Sequence, residues 1–224
     1  MITMRKKQPC KPVGISGPTL ISNGPNGAKA EFIKLQFPNT KEEIEHFIVK
    51  GFLRTAQQSG LLSSQGITIG QNKQDDFDFH LNWTDSTTKG LELMEVAPLE
   101  QICGSYESAS ESYKPYELAD YIFNKILGKS SRYQTSVGDG LFLLIYITDL
   151  KFVLCNTVIA LLQYWSVHNK HCFEKIYCYF PIMQDDGIVQ LIYPTPPEYW
   201  ESFNPDKYRE NLTTNLNPNG WSVS

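Results

Sequence analysis

Apolar and polar residues alternate from Asp76 to Leu81. Phe77, Phe79 and Leu81 fall on one side, and Asp76, Asp78 and His80 on the other. A period of two predicts a half-buried strand with an acidic face. After a polar turn, Leu91–Val96 is apolar at almost every position, the pattern of a central strand covered on both faces, yet Glu92 and Glu95 interrupt it. Upstream, Thr40 followed by Glu43 forms a capping box. Ile44, Phe47, Ile48, Gly51, Phe52 and Ala56 then recur at helical spacing until Gly60. Ile67–Ile69 predicts a short strand. Lys114–Glu117 opens a second helix, with Leu118, Tyr121, Ile122 and Ile126 along one side and a break near Gly128. Leu141–Ile147 is the clearest strand, apolar on both faces and therefore central. Val153–Val167 has the length of a buried helix, and Phe173–Ile182 and Gly187–Tyr193 predict two further strands around an Asp185–Asp186–Gly187 turn.

Helices interleaved with strands in this order predict an α/β or α+β domain, a central mixed sheet flanked by helices. Its extent is 29–194. Residues 1–28, rich in Pro, Gly, Ser and Asn, read as a flexible arm. Residues 195–224, dominated by Pro, Asn, Tyr and Trp, read as a tail that packs on the domain.

Composition narrows the class. The chain has 224 residues, enough for one large domain, with a net charge of −4. That charge does not favour a non-specific nucleic-acid binder, although a local basic face is compatible with it. No stretch approaches the roughly 18–20 apolar residues of a membrane span, so no membrane partner is expected. Five scattered cysteines without a Cys-x-x-Cys pair argue against zinc and fit a reducing, cytoplasmic setting.

The acidic residues on the two predicted strands carry the candidate chemistry. A carboxylate in a buried strand is costly unless paired, hydrogen-bonded or bound to metal. Glu92 and Glu95 are three apart and lie on opposite faces, so only one can share a face with Asp78. Asp on one strand and Glu on the next can hold a hard cation such as Mg²⁺. The plain alternative is a solvated acidic edge with Glu95 at a strand end.

The Asp-Phe-Asp-Phe stretch, Met94-Glu95-Val96-Ala97, and Lys125-Ile-Leu-Gly-Lys129-Ser-Ser-Arg-Tyr133 leading into Leu141–Tyr146 together resemble the PD-(D/E)xK, or restriction-endonuclease-like, nuclease superfamily. The resemblance covers roughly residues 40–147. It implies a restriction-endonuclease-like fold, Mg²⁺ as cofactor, DNA as partner and phosphodiester hydrolysis. Carried over by position, Asp78 and Glu95 would hold the metal, with Glu45 or Glu42 from the first helix. Ala97 occupies the motif lysine position, and a methyl group neither donates a proton nor neutralises charge. Reading the motif on Glu92 puts Met94 there instead. Lys125 or Lys129, reaching in from the second helix, would then supply the missing cation.

A different class stays open: a catalytically inactive binding or accessory protein on the same fold, of the mobile-element or defence-linked kind, which Ala97 and the acidic balance favour. Exposed Tyr and Trp near the C-terminus would suit a homodimer interface. Other residues have simpler readings. His168 and His171 are three apart at the end of an apolar helix. Asp185 and Asp186 suit a turn. His80 shares the acidic face, and Trp83 and the Tyr-rich segment 106–121 could stack on bases.

Overall fold

In the computed structural model the described residues are 16–25, 27–64, 66–71, 77–96, 112–133 and 140–214. The elements in chain order are β1 (Thr19–Gly24), β2 (Gly27–Phe32), α1 (Lys41–Gln58), β3 (Ile67–Gln71), β4 (Phe79–Trp83), β5 (Thr88–Glu95), β6 (Ser112–Tyr113), α2 (Pro115–Ser130), β7 (Leu141–Tyr146), α3 (Asn156–His168), β8 (Lys175–Met183), β9 (Asp186–Tyr193) and β10 (Thr213–Thr214).

A six-stranded mixed sheet in the order β3-β4-β5-β7-β8-β9 forms the centre. β3, β4 and β5 make an antiparallel meander, β5, β7 and β8 run parallel, and β9 returns antiparallel to β8. The parallel steps need crossovers, which α2 and α3 supply. Side chains alternate across the sheet, so each strand feeds two cores. Phe79, Leu81, Leu91, Leu93, Leu144 and Tyr177 pack with Ile44, Ile48 and Phe52 of α1. Met94, Leu143, Ile145, Ile176 and Cys178 pack with α2 and α3. The protein is thus a three-layer α/β domain. Every residue of β7 is buried, in keeping with its apolar run.

α1 starts where the capping box predicts. Thr40 Oγ1 accepts the Glu43 N–H at 3.3 Å, and Glu43 Oε2 accepts the Thr40 N–H at 3.1 Å. α2 runs through Gly128 to Ser130, because no side chain crowds that glycine and the helix remains packed through Ile126.

Two expectations differ from the structure. Within the arm expected over 1–28, Thr19–Gly24 pairs with Gly27–Phe32 as a hairpin, so residue 28 falls inside a strand rather than at a boundary. Leu20 and Ile21 stand side by side in its first strand, which leaves no apolar period to read there. Phe77 does not share the face of Phe79. Ladder pairing begins at Phe79, and Phe77 packs on the α2 side with its ring 4.7 Å from His80. Over residues 195–214 the chain lies against the domain: Phe203 packs among Tyr164, Trp200 and Tyr208, and the Arg209 guanidinium lies 4.4 Å over the Tyr116 ring.

Candidate carboxylate–lysine site

β4 is shorter than β5, and the mismatch makes a cleft. The last paired residues at the start of β4 are Phe79 and Leu91, so Glu92–Glu95 of β5 run on past their neighbour, held on the other side by β7. Asp78, one step before β4, fills the gap. Its Oδ2 accepts the Leu93 N–H at 2.7 Å, replacing the ladder bond that β4 no longer offers. Continuing the register puts Asp78 opposite Glu92, on the face that α2 covers.

Glu92 is buried. Its Oε1 receives the Lys129 ammonium from the last turn of α2, and the Tyr133 hydroxyl lies within reach of the same carboxylate's charge. Burial, then the Glu92 charge, pushes the Tyr133 hydroxyl up. Asp78 is pushed up to about 6, first by burial and then by the negative charge of Glu92, with Glu45 adding to it; the Leu93 N–H and Lys129 act in the opposite direction. Two carboxylates facing each other disfavour double ionisation, the behaviour of a pair that gains from a nearby cation.

The cleft beside Asp78 has a volume of about 440 Å³, with Glu92 buried next to its lining. Lys41 and Glu45 of α1 line one side, Lys125, Gly128, Lys129 and Arg132 line the other, and Asp78, Leu93, Met94, Glu95 and Tyr146 form its floor. The five expected site residues, Asp78, Glu95, Glu45, Lys125 and Lys129, therefore do meet at one place. Glu95 follows Leu93 on the α1 face, and its Oε1 accepts the Thr148 hydroxyl at 2.7 Å. Glu92, from the α2 face, is the glutamate whose charge reaches Asp78, while Glu95 shares the cleft lining with Asp78. The physical reason is the antiparallel register, which places 78 across from 92.

Glu45 forms an ion pair with Lys41 at 3.3 Å. The Lys125 ammonium sits 4.7 Å over the Tyr121 ring. Ala97 and Asp76 lie outside the described residues, as do residues 106–111 of the Tyr-rich segment. His168 Nδ1 lies 2.7 Å from the Tyr164 carbonyl, while His171 Nε2 lies 3.1 Å from that of Ser166, so the two histidines serve separate local contacts. The turn expected at Asp185–Asp186–Gly187 is instead Gln184–Asp185, with Asp185 at φ +60°; Asp186 and Gly187 already pair within β9. Glu42 uses its carbonyl to hold His46. Trp83 packs edge-on to Phe142.

Sequence reasoning underrated Glu92 and passed over Lys41, while Arg132 and Tyr133 stood in the stretch that carries the resemblance without a role of their own. The signal for Glu92 was present: it is the acidic residue in the most apolar strand segment, and only a partner from a packed helix accommodates a charge there.

No protein-family model, no curated protein and no solved structure matches this chain.

Among the described residues no three His, Cys, Asp or Glu side chains converge as a ready-made metal cage. The candidate donors for a cation there would be the Asp78 and Glu92 carboxylates. Mg²⁺ is commonly held by one or two carboxylates, with waters and ligand phosphates completing its shell, and the mutual repulsion of Asp78 and Glu92 is what a cation would relieve. The residues present fit such an ion.

Proposed function

We propose that the cleft is the site of a divalent-cation-dependent phosphodiesterase acting on nucleic acid. The observation that carries the reading is the Asp78–Glu92 pair at the open end of β5, with Lys129 beside it and Lys41, Lys125 and Arg132 around the rim. The element order supports it too: a helix, a meander carrying the acidic pair, a second helix and a parallel central strand follow the restriction-endonuclease-like pattern that the sequence resembles.

Asp78 and Glu92 would hold Mg²⁺. Bound there, the ion supplies an acidified water and neutralises charge on a phosphate. The rest falls to the protein's own groups. Lys129 contributes positive charge beside the reacting phosphate, which compensates for the lack of lysine at 94 and 97. Lys41, Lys125 and Arg132 engage flanking phosphates from both walls, with guanidinium geometry favouring a two-point contact. The Leu93 N–H fixes the Asp78 carboxylate.

The second reading is a binding protein without catalysis. One observation favours it: Asp78 is already satisfied by Leu93 and Glu92 by Lys129, so the pair is stable as it stands.

Incubation of the protein with plasmid DNA, single-stranded DNA and RNA in Mg²⁺ or Mn²⁺ separates the two. Cleavage that requires the ion and disappears in Asp78→Asn and Glu92→Gln supports the enzyme. Retention of nucleic acid without cleavage supports the binding protein. Cleavage unchanged in both variants removes the site from the reaction.

A further inference from the structure

We propose that the Lys129 ammonium is the resident counter-ion of the Asp78–Glu92 pair, that a divalent cation entering the cleft takes its place, and that Lys129 is thereby released toward the anionic ligand. This deepens the reading of the cleft as a metal-dependent site and rests on it.

The geometry supplies the reasons. The Glu92 side chain is 6% exposed and meets Lys129 through Oε1. A divalent ion bound at the same carboxylate would repel an ammonium held there, so the two compete rather than cooperate. Lys129 can leave at little cost. Its side chain is 21% exposed, it opens onto the cleft, and its four-carbon stem is flexible. The place it moves to is set by α2. Lys125 and Lys129 are four residues apart on one row of α2, Arg132 stands in the turn just after the helix ends at Ser130, and all three line the cleft. In the ion pair Lys129 is withheld from this row; released, it completes a line of three cations facing a bound phosphate chain. Metal binding would then switch on anion binding, a coupling between two ligands of one cleft.

The alternative role for Lys129 has the opposite sign. A lysine that merely holds Glu92 in place would aid metal binding, and its removal would weaken it. The decisive experiment is Mn²⁺ titration calorimetry on the wild type, Lys129→Gln and Glu92→Gln, with circular dichroism to verify folding. Displacement predicts that Lys129→Gln binds Mn²⁺ about tenfold more tightly or better, since a neighbouring positive charge is removed, while Glu92→Gln loses binding. Weaker binding by Lys129→Gln, with the wild type still binding, overturns displacement and leaves the metal site standing. Binding by neither protein overturns both.

Amine labelling of the wild type with peptide mapping covers the case in which Lys129→Gln does not fold. Mn²⁺ should raise the labelling of Lys129 several-fold while Lys170 and Lys207, outside the cleft, stay constant. Labelling of Lys129 that is unchanged or lowered at Mn²⁺ saturation contradicts the proposal.

Discussion

Asp78 accepts the Leu93 N–H at 2.7 Å, immediately beyond the point where β4 stops pairing with β5. One side chain thereby ends a ladder and supplies half of an acidic pair. Asp78→Ala leaves that amide without its partner in a half-buried position, which costs about 1–3 kcal/mol. Asp78→Asn keeps an oxygen acceptor and removes the repulsion with Glu92, so it should cost distinctly less. Urea unfolding of the two variants checks the ranking.

The same residue governs a pH dependence. Its carboxyl is pushed up to about 6 in the folded protein from an unfolded value of 3.8. The folded state therefore binds the proton more tightly than the unfolded chain. Stability from this group is present below pH ~4, falls as the pH rises through about 6, and stays low above it, a change on the order of 3 kcal/mol. Thermal melts of wild type and Asp78→Asn between pH 4 and 7.5 should diverge across that window. Parallel curves would show that Asp78 titrates normally.

Thr148 and Glu95 form the other polar anchor of the cleft. Thr148 is fully buried, and its hydroxyl donates to Glu95 at 2.7 Å. Thr148→Val keeps the shape and removes the donor, at a cost of about 1–2 kcal/mol. Because Glu95 lies on the α1 face, this variant should leave Mn²⁺ affinity near that of wild type, which titration calorimetry measures.

α1 approaches the sheet closely at one glycine. A Cβ on Gly51 would lie 2.3 Å from Tyr179 Oη. Alanine gains up to about 1 kcal/mol in helix propensity, but the overlap forces a shift costing about 1–3 kcal/mol. Gly51→Ala should be net destabilised, and Tyr179→Phe introduced with it should restore part of the loss. A double-mutant cycle in urea reads the coupling directly.

Much of this arrangement was legible in the residues. Thr40 and Glu43 marked the start of α1, Leu141–Ile147 announced the central strand, and the apolar run around Leu91 placed β5 between two layers. Each of these is a local signal: a cap, or a period set by burial. The identity of the acidic pair was not local. Glu92 and Glu95 have equal claims from spacing alone, and only the β4–β5 register, fixed by Phe79 opposite Leu91, decides between them. Nor could spacing along the chain show that Lys129, 37 residues after Glu92, would fold back onto it. β1 was hidden for another reason: Leu20 and Ile21 stand side by side and both remain exposed, so burial leaves no period in its sequence, whereas the alternation from Ala30 onward marks part of β2.

The central claim is that Asp78 and Glu92 together hold a divalent cation. Crystals grown with Mn²⁺ and measured at the manganese edge test it most directly. The account predicts an anomalous peak in contact with both the Asp78 and the Glu92 carboxylates. A peak coordinated by Glu95 or Glu45 without Asp78, or no peak in the cleft at saturating Mn²⁺, would contradict it.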